Sequence, residues 1–319
     1  MKAITQHRYG SYEVLHHEEV PRPAPGPGQV LLRVAAAGVD PGQWHLMAGL
    51  PLAARLAFGP SRPRAVVRGR DVAGTVVETG PGVTGLTEGD EVFGVADGSF
   101  AEYAVAKAGL LVQRPANVPA TVAAATPTSG YTALRAVAKA ALTPGQRALV
   151  IGAGGGIGTM LVQILAARGV SVTGACSASK AALVRSLGAA TVIDYRVTPL
   201  GTGYDAVFDL AGLRGLPSLR KLLTPRGTLV LIGGEDSGRW LGGATTRSLR
   251  ANLVNLFTTQ RLRPVLALEN RADLAELAAL LEAGTLTPRV ERTFPLAGTA
   301  EALRRLMEGQ AQGKYVITP

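Results

Sequence analysis

The sequence predicts an α/β protein, with a doubly wound parallel sheet in one domain and a small antiparallel barrel or sandwich in another. The chain has 319 residues, more than one hydrophobic core usually organises, so we expect two domains. Short β-branched segments separated by Gly and Pro fill residues 1–125. Residues 126–268 show a different pattern, in which apolar strand-like runs alternate with helical segments.

The first region holds the predicted antiparallel strands. Segments such as "QVLLRVAAAGVD" and "DVAGTVVETG" alternate β-branched residues with turn signals, which is typical of a small barrel or sandwich. The Pro-rich "PRPAPGPGQ" before them is too short for a disordered linker, so we interpret it as a stiff connector.

The second region predicts the parallel sheet. Its strand-like runs are continuous and apolar, as expected when helices cover both faces of a sheet. The runs read "RALVIGA", "VSVTGAC", "ATVIDY", "YDAVFDLAG" and "TLVLIGG", and the helices predicted among them are "GGIGTMLVQILAARG", "SASKAALVRSLG" and "LPSLRKLLTPRG". The tail, residues 269–319, contains two amphipathic helices and a final strand.

One uncharged stretch, residues 148–167, is long enough to cross a bilayer as a helix. Its middle, "GAGGGIG", argues against a membrane partner, because so many glycines would break a lipid-exposed helix. Residues 1–20 are polar and hold no apolar core before a cleavage site, so we expect a cytoplasmic protein.

The charge balance permits a nucleic-acid partner but does not favour one. The chain has 33 Lys and Arg against 23 Asp and Glu, a formal net charge of +10. These charges are scattered, and only 5% of the residues are aromatic side chains that could stack on bases. A solvated Arg-rich surface is therefore the preferred interpretation.

A glycine-rich turn follows the first strand-like run of the middle region. Its spacing resembles G-x-G-x-x-G, with Ala153 where the first glycine would stand. Such a turn brings the backbone close to a pyrophosphate and aims a helix N-terminus at it. The predicted cofactor-binding residues here are Gly152, Gly155, Gly156, Ile157 and Gly158.

The end of the second predicted strand discriminates between cofactors. An NAD site usually places an acidic residue there, but this chain has Ala175 and Cys176. Ser177 can donate a hydrogen bond, Lys180 can supply positive charge, and Tyr195 after the third strand can add a phenolic donor. The sequence therefore predicts NADPH; the alternative is that Lys180 is only a surface lysine at a helix start.

Several motifs in order along the chain resemble one family. They are "AAGVDPGQWHLMAG", "GRDVAGTVVETGPGVTGLTEGDEVFG", "SGYTAL", "GAGGGIG", "LGAATVIDYR", "GTLVLIGG" and "GKYVI". The chain resembles a zinc-free member of the medium-chain dehydrogenase/reductase superfamily, in the quinone oxidoreductase (zeta-crystallin-like) branch. The resemblance implies a GroES-like β-barrel catalytic domain from residues 1–125 and 269–319, and a Rossmann NADP-binding domain at 126–268.

The resemblance also implies that no metal is bound. Zinc-binding relatives place a Cys where Asp40 stands and a His-Glu pair where Arg70 and Asp71 stand, and the single cysteine here lies in the other domain. A metal held by Asp40, His45 and Asp71 is disfavoured, because Arg70 would place a cation beside it. Without a Lewis acid, the expected hydride acceptor is a small hydrophobic quinone, enone or enal.

Two alternatives to a quinone or enone reductase stay open. One is a standalone enoyl reductase of a biosynthetic pathway, and the other is a non-catalytic NADPH-sensing or RNA-binding protein.

The predicted catalytic residues are Asp40, His45 and Ser129. Asp40 has three alternatives: it binds the nicotinamide amide, relays a proton, or caps the turn before Pro41. His45 is either a proton donor or a surface histidine. By the resemblance, Ser129 and the backbone of Gly233 and Gly234 lie near the nicotinamide, and Lys314 approaches the cofactor from the tail.

Two further features bear on partners. Arginines between residues 55 and 70 could hold an anionic group on the substrate, or could simply be solvated. Relatives often dimerise through the edge strand of the nucleotide sheet, here "QRLRPVLAL", where Pro264 removes one backbone donor. A homodimer is therefore an expectation that this proline weakens.

Overall fold

The structure is a computed structural model, and it describes residues 1–233, 240, 242–266 and 268–319. The chain divides into two compact units. Unit 1 comprises Met1–Tyr131 and Leu268–Pro319, and unit 2 comprises Thr132–Ala267.

The strands and α-helices of the described residues are numbered in chain order. The strands are β1 (Lys2–Gln6), β2 (Leu15–Glu19), β3 (Gln29–Val39), β4 (Asp71–Thr79), β5 (Glu91–Val95), β6 (Tyr103–Lys107), β7 (Leu111–Gln113), β8 (Arg147–Ile151), β9 (Ser171–Cys176), β10 (Thr191–Asp194), β11 (Tyr204–Asp209), β12 (Leu223–Leu231), β13 (Arg261–Pro264), β14 (Val290–Pro295) and β15 (Lys314–Thr318). The α-helices are α1 (Pro41–Ala48), α2 (Arg55–Phe58), α3 (Ala120–Ala124), α4 (Pro127–Ala140), α5 (Gly156–Ala167), α6 (Ala181–Ser186), α7 (Leu216–Arg220), α8 (Gly243–Asn255), α9 (Arg271–Glu282) and α10 (Thr299–Met307).

Unit 1 is built on a mixed sheet in the order β14-β15-β3-β4-β5-β7, with β6 also paired to β3. Only the β14–β15 pair of this sheet is parallel, so unit 1 is mostly antiparallel, as its alternating segments predict. On β3, Val34 is buried while its neighbour Arg33 is exposed, which is the period of two that a half-buried strand requires. The core beneath includes Phe100 and Tyr315.

Unit 2 is built on a six-stranded sheet in the order β10-β9-β8-β11-β12-β13. Every pair of neighbouring strands is parallel. The first strand, β8, lies in the interior of the sheet, and the chain builds outward from it in both directions. Ligands of such sheets bind at the carboxyl ends of the strands where the order reverses, which here is between β8 and β11. The predicted α/β fold class is confirmed.

The uncharged stretch forms a buried strand and a buried helix. β8 is buried from Ala148 to Ile151, and α5 is buried from Gly158 to Leu165. Among the described residues, no helix is long and apolar enough to cross a membrane.

One predicted helix is wrong in extent. "LPSLRKLLTPRG" predicts a helix through residue 227, but α7 ends at Arg220 and β12 begins at Leu223. Pro225 explains the early end, because proline in a helix interior removes a hydrogen bond and clashes with the preceding turn.

Candidate active site

The glycine turn lies at the carboxyl end of β8 in unit 2. Gly152 has a φ of 92°, in the left-handed region that residues with a Cβ rarely adopt. A Cβ at Gly158 would lie 2.2 Å from the carbonyl oxygen of Gly152, so only glycine lets α5 start this close to the turn. The fold of the turn itself therefore explains these two glycines.

Gly155 has no comparable internal reason. A Cβ there would meet nothing closer than the Gly152 carbonyl oxygen at 3.5 Å, and its φ of −91° is open to any residue. Gly155 is the N-cap of α5 and offers no side chain to the first-turn amides, and Gly155, Gly156 and Ile157 are all partly exposed. This arrangement fits a phosphate, because a helix N-terminus presents N–H donors and the positive end of the helix dipole.

Ser177 and Tyr195 lie at the same edge of the sheet as the glycine turn. They directly follow Cys176 and Asp194, which are paired residues at the carboxyl ends of the neighbouring strands β9 and β10. Ser177 is partly exposed, and its Oγ lies 3.2 Å from the Oγ of Ser179.

Lys180 packs directly against the glycine turn. A Cβ at Gly154 would lie 2.7 Å from the Cδ of Lys180, so the glycine leaves room for the lysine stem. Lys180 is partly buried at the end of a short 3-10 helix, Ala178–Lys180. The structure therefore brings Lys180 to the turn, rather than leaving it on a remote surface.

A positive charge that the sequence analysis did not consider lies beside Tyr195. Tyr195 is 41% exposed, and the guanidinium carbon of Arg196 lies 5.8 Å from the centre of its ring. The backbone N–H of Arg196 donates to Oδ1 of Asp194 at 3.0 Å, which fixes this short turn. The signal was available in the letters "DYR", because Arg is a common partner for a phosphate.

Gly233 is held by a buried ion pair. Its backbone N–H donates to the Asp209 carbonyl oxygen at 3.0 Å, and a Cβ there would lie 2.1 Å from the Leu210 carbonyl oxygen. Arg247 donates to the Gly233 carbonyl oxygen at 2.8 Å and to Oδ2 of Asp209 at 2.5 Å. Gly234, predicted beside it, lies outside the described residues. Arg247 is not recognisable as part of this site from the sequence, because 38 residues separate it from Asp209 and no local motif links the two.

Asp40 directly precedes α1 in unit 1, and His45 lies in the last turn of the same helix. Asp40 is 4% exposed and is the N-cap of the helix, where its Oδ1 accepts from the N–H of Gly42 at 2.8 Å. Both ring nitrogens of His45 are buried, and its ring packs edge-on against Trp44 with 4.9 Å between ring centres. The capping alternative for Asp40 is thus observed for one carboxylate oxygen, and His45 is not a solvated surface histidine.

Three charged residues share one face of the unit 1 sheet. Val316 pairs with Gly38 in the antiparallel register of β15 and β3. Lys314 and Asp40 are each two residues away from this pair, so they lie on the same face of the sheet. Ala37 pairs with Val72, which places Asp71 beside Gly38.

The missing side chain at Gly38 makes room for Asp71. A Cβ at Gly38 would lie 3.0 Å from the Cβ and 3.2 Å from Oδ2 of Asp71. Asp71 is fully buried, and Thr128 donates to its carboxylate from the backbone N–H at 3.2 Å and from Oγ1 at 2.6 Å. Burial raises the pKa of Asp71 from 3.8 to about 7, against the opposing effect of the Lys314 ammonium.

Lys314 and Ser129 are both buried in unit 1. Lys314 is 2% exposed, and its Nζ makes no hydrogen bond to the residues that the structure describes. A buried ammonium group without an acceptor fits a contact to a bound polar group, as predicted for the cofactor. Ser129 is 3% exposed on α4, one residue after the Thr128 that holds Asp71.

The residues at the zinc-ligand positions of relatives do not suit zinc. Arg70 is bound to Glu269, with Nε to Oε1 at 2.7 Å, and its Nη1 lies 2.7 Å from Oδ1 of Asp97. A guanidinium has no lone pair to give a metal, and it places a positive charge next to Asp71. Within the described ranges, no group of three or more His, Cys, Asp and Glu residues could hold a metal ion.

A cavity of about 630 Å³ lies within unit 1. Apolar residues such as Leu46, Phe58 and Val66 make up much of its lining, and Gln43 and Arg68 are among the polar ones. Gln43 is 4% exposed, and its Oε1 accepts from the backbone N–H of Gly69 at 3.1 Å. A cavity of this size and composition suits a small hydrophobic ligand with a few polar atoms.

Known proteins resemble the chain along its length. Residues 26–116 match the family described as alcohol dehydrogenase GroES-like domain, and residues 187–317 match the family described as zinc-binding dehydrogenase. A chloroplast envelope quinone oxidoreductase homolog of Arabidopsis thaliana is 30% identical over 339 residues, which cover 100% of this chain and 98% of the relative.

Two other relatives are similarly close. A 2-methylene-furan-3-one reductase of Solanum lycopersicum is 31% identical over 339 residues, which cover 100% of this chain and 79% of the relative. A mycobacterial structure complexed with NADPH has a TM-score of 0.84 at 29% identity, with 100% of both chains covered. The chain therefore belongs to the medium-chain dehydrogenase/reductase superfamily, in its quinone oxidoreductase branch. It is an oxidoreductase, and the predicted family is confirmed.

Proposed function

We propose that the chain is a zinc-independent reductase that uses NADPH to deliver a hydride to a quinone or to an α,β-unsaturated carbonyl compound. The observation that carries the proposal is the N-terminus of α5, which has no side-chain cap, at the edge of a sheet whose second strand ends in Ala175 and Cys176 instead of a carboxylate and is followed by Ser177 and Lys180. The NADPH complex of the mycobacterial relative supports the cofactor. The quinone oxidoreductase homolog and the 2-methylene-furan-3-one reductase support the two classes of acceptor.

Bound phosphates of the cofactor would explain the N-terminus of α5, which has no side-chain cap, and the polar side chains that follow β9 and β10. The backbone N–H groups of Gly156 and Ile157 would bind the pyrophosphate, and Gly155, without a side chain, leaves them uncovered. Gly152 shapes the turn, where its carbonyl oxygen accepts from the N–H of Gly155 at 3.2 Å. Ser177, Lys180 and Tyr195 would bind the ribose 2′-phosphate. When bound, NADPH supplies the hydride.

A second set of residues is proposed for the nicotinamide end of the cofactor. Gly233 and Lys314 are the proposed contacts of the nicotinamide end, and Ser129 is proposed to lie near it. The ion pair of Arg247 with Asp209 fixes the backbone of Gly233 before any ligand arrives.

The acceptor side of the reaction needs an apolar site and a proton. Hydride addition to a quinone or enone leaves an oxyanion, which must then be protonated. His45 is the proposed proton donor. Its ring nitrogens are buried, and it lies on α1, which also contributes Gln43 and Leu46 to the lining of the cavity. Asp40, whose carboxylate caps the same helix, is the proposed orienting residue.

The proposal also covers the substrate, the location and the partners of the protein. We infer a small hydrophobic carbonyl or quinone substrate, a cytoplasmic location, and no nucleic-acid or membrane partner. The scattered charges and the low aromatic content support the first exclusion.

The cofactor proposal is tested by the affinities of the purified protein for NADPH and NADH. We expect Lys180→Ala to raise the Kd for NADPH by roughly tenfold and to change the Kd for NADH little, because a charge-assisted hydrogen bond contributes about 1.5 kcal/mol or more. Lys139→Ala is the control, since Lys139 is an exposed lysine of the same unit. An equal loss for both nucleotides would contradict a 2′-phosphate contact.

The acceptor is tested by NADPH oxidation with quinones, alkenals and enoyl thioesters. Turnover of quinones or alkenals supports the proposal, whereas a clear preference for enoyl thioesters would favour an enoyl reductase. Tight NADPH binding with no turnover, together with salt-sensitive RNA binding, would replace it with a non-catalytic function.

A further inference from the structure

Three arginines line the cavity of unit 1, and they differ in how their charges are matched. Arg70 is paired with Glu269 and Asp97. Arg64 is exposed, and its Nη1 donates to the carbonyl oxygen of Ala57 at 3.1 Å. The third arginine, Arg68, differs from both, because it is neither exposed like Arg64 nor held by carboxylates like Arg70.

Arg68 is buried and its guanidinium is incompletely bonded. The residue is 7% exposed, and its Nε is buried without a hydrogen-bond partner among the described residues. Desolvation lowers the pKa of Arg68, while Tyr9 and Asp40 oppose that effect, so some negative potential reaches it. An arginine stays protonated in proteins, so unit 1 keeps a buried cation against an apolar cavity.

The backbone of Arg68 is fixed on both sides. Its N–H donates to the Ile4 carbonyl oxygen at 2.9 Å, and its carbonyl oxygen accepts from the N–H of Phe100 at 2.8 Å. The side chain therefore starts from a rigid strand-like segment rather than from a mobile loop. Because the backbone is already fixed, only the side-chain torsions of Arg68 have to be ordered when a ligand binds, which lowers the ordering cost of binding.

We infer that this cavity selects substrates that carry an oxyanion group, such as a carboxylate or sulfonate, on a hydrophobic ring or chain, with Arg68 as the anchor. The inference rests on the proposed function, because it names the substrate class of that reductase. The planar guanidinium suits two-pronged bonding to a carboxylate or sulfonate. The apolar lining then holds the ring that accepts the hydride.

The kinetic test compares 1,4-naphthoquinone with 1,4-naphthoquinone-2-sulfonate as acceptors for NADPH. For each enzyme form, the ratio of kcat/KM for the sulfonate to kcat/KM for the neutral quinone is measured. We expect Arg68→Met to lower this ratio roughly tenfold to a hundredfold, mainly through KM of the sulfonate. Arg68→Lys should recover part of the ratio, because it restores the charge without the fork.

The matched control is Arg62→Met. Arg62 lies in the same segment and is exposed, but it does not line this cavity. It should leave the ratio within about twofold, because an exposed charge is screened by solvent. An equal effect of both substitutions would overturn the inference, because it would mean that any positive charge in this segment attracts the anionic quinone equally well. A fall in kcat by the same factor for both quinones would do so too, because Arg68 would then act on the reacting carbonyl.

A binding experiment keeps the inference separate from the proposed function. Calorimetry measures the Kd of the wild-type protein for naphthalene-2-sulfonate and for the neutral naphthalene-2-sulfonamide. We expect the sulfonate to bind more tightly, and Arg68→Met to remove that difference. If neither quinones nor alkenals are reduced but this difference is found, the proposed function fails and the anion site stands. If quinones are reduced but no difference is found, the anion site fails alone.

Discussion

At the scale of single residues, Asp71 makes the stability of unit 1 depend on pH. Its pKa rises from 3.8 to about 7, first because the carboxyl is buried, and Lys314 and Thr128 oppose this rise. The fold therefore favours the protonated form. This contribution to stability is fully present below about pH 4 and is lost as the pH rises through about 7.

We expect the wild-type protein to lose stability relative to Asp71→Asn as the pH rises from 4 to 8. The asparagine cannot ionise, so the difference in free energy of unfolding should shift by up to about 4 kcal/mol, taking about 1.4 kcal/mol per pKa unit. Thermal unfolding of both proteins at several pH values measures the shift. The exposed Glu88, changed to Gln, is the control and should show no such trend. A constant difference across this range would contradict the raised pKa.

At the scale of elements, the turn between β8 and α5 separates folding from binding. Gly158→Ala should destabilise unit 2, because the new Cβ would lie 2.2 Å from the backbone oxygen of Gly152 and neither atom can move away easily. Gly155→Ala should leave the melting temperature nearly unchanged, because its Cβ meets nothing within 3.4 Å. The same methyl group would stand beside the amides proposed to bind the pyrophosphate.

Gly155→Ala should also weaken the binding of NADPH. We expect its Kd for NADPH to rise roughly tenfold or more, since the phosphates can no longer approach the backbone. Thermal unfolding and nucleotide titration of the two variants give the comparison. Unchanged NADPH affinity in a stably folded Gly155→Ala protein would remove this turn from the cofactor site.

Local patterns predicted the sheet of unit 2 well. Five apolar runs became β8 to β12, and the glycine turn lies where its spacing placed it. The strand β14, Val290–Pro295, was missed because only Phe294 of its six residues is buried, so it has no apolar period to detect. It is held in the sheet by parallel pairing with β15, and a local pattern does not record such a partner.

The parts of the candidate sites that depend on distant pairing could not be predicted. Asp71 and Lys314 share a face only because β4, β3 and β15 are neighbours in one sheet. Arg247 reaches Asp209 from a helix that no motif indicated. The sequence does not distinguish the arginines of residues 55–70 from one another. Burial in the folded structure is what sets Arg68 apart.

At the scale of the whole molecule, one surface of unit 2 is unusually apolar. Leu249, Leu253 and Leu256 of α8 and its following turn are 57%, 62% and 74% exposed, and Phe257 is 87% exposed. Their spacing puts them on one side of the helix. The helix is joined to the edge strand β13 by two hydrogen bonds between Asn255 and the backbone of Leu262, at 2.8 and 2.9 Å.

This apolar surface supports the expected homodimer by a route that Pro264 does not block. Pro264 ends β13 and cannot donate to an added strand, so continuation of the sheet is limited there. The helix face needs no backbone donors, and a twofold axis would bury the same leucines from each copy. A face of this kind on a lone chain would also expose a large apolar area to water.

We expect the protein to be a dimer in light scattering after size exclusion, and Leu253→Glu to convert it to a monomer that remains folded. The carboxylate would have to be buried without a partner at the centre of the interface, which is costly, whereas in the monomer it stays solvated. Leu213→Glu is the matched control, because Leu213 is 76% exposed elsewhere in unit 2. It should leave the dimer intact. A monomeric wild-type protein, or a dimer that survives Leu253→Glu, would show that α8 does not form the interface.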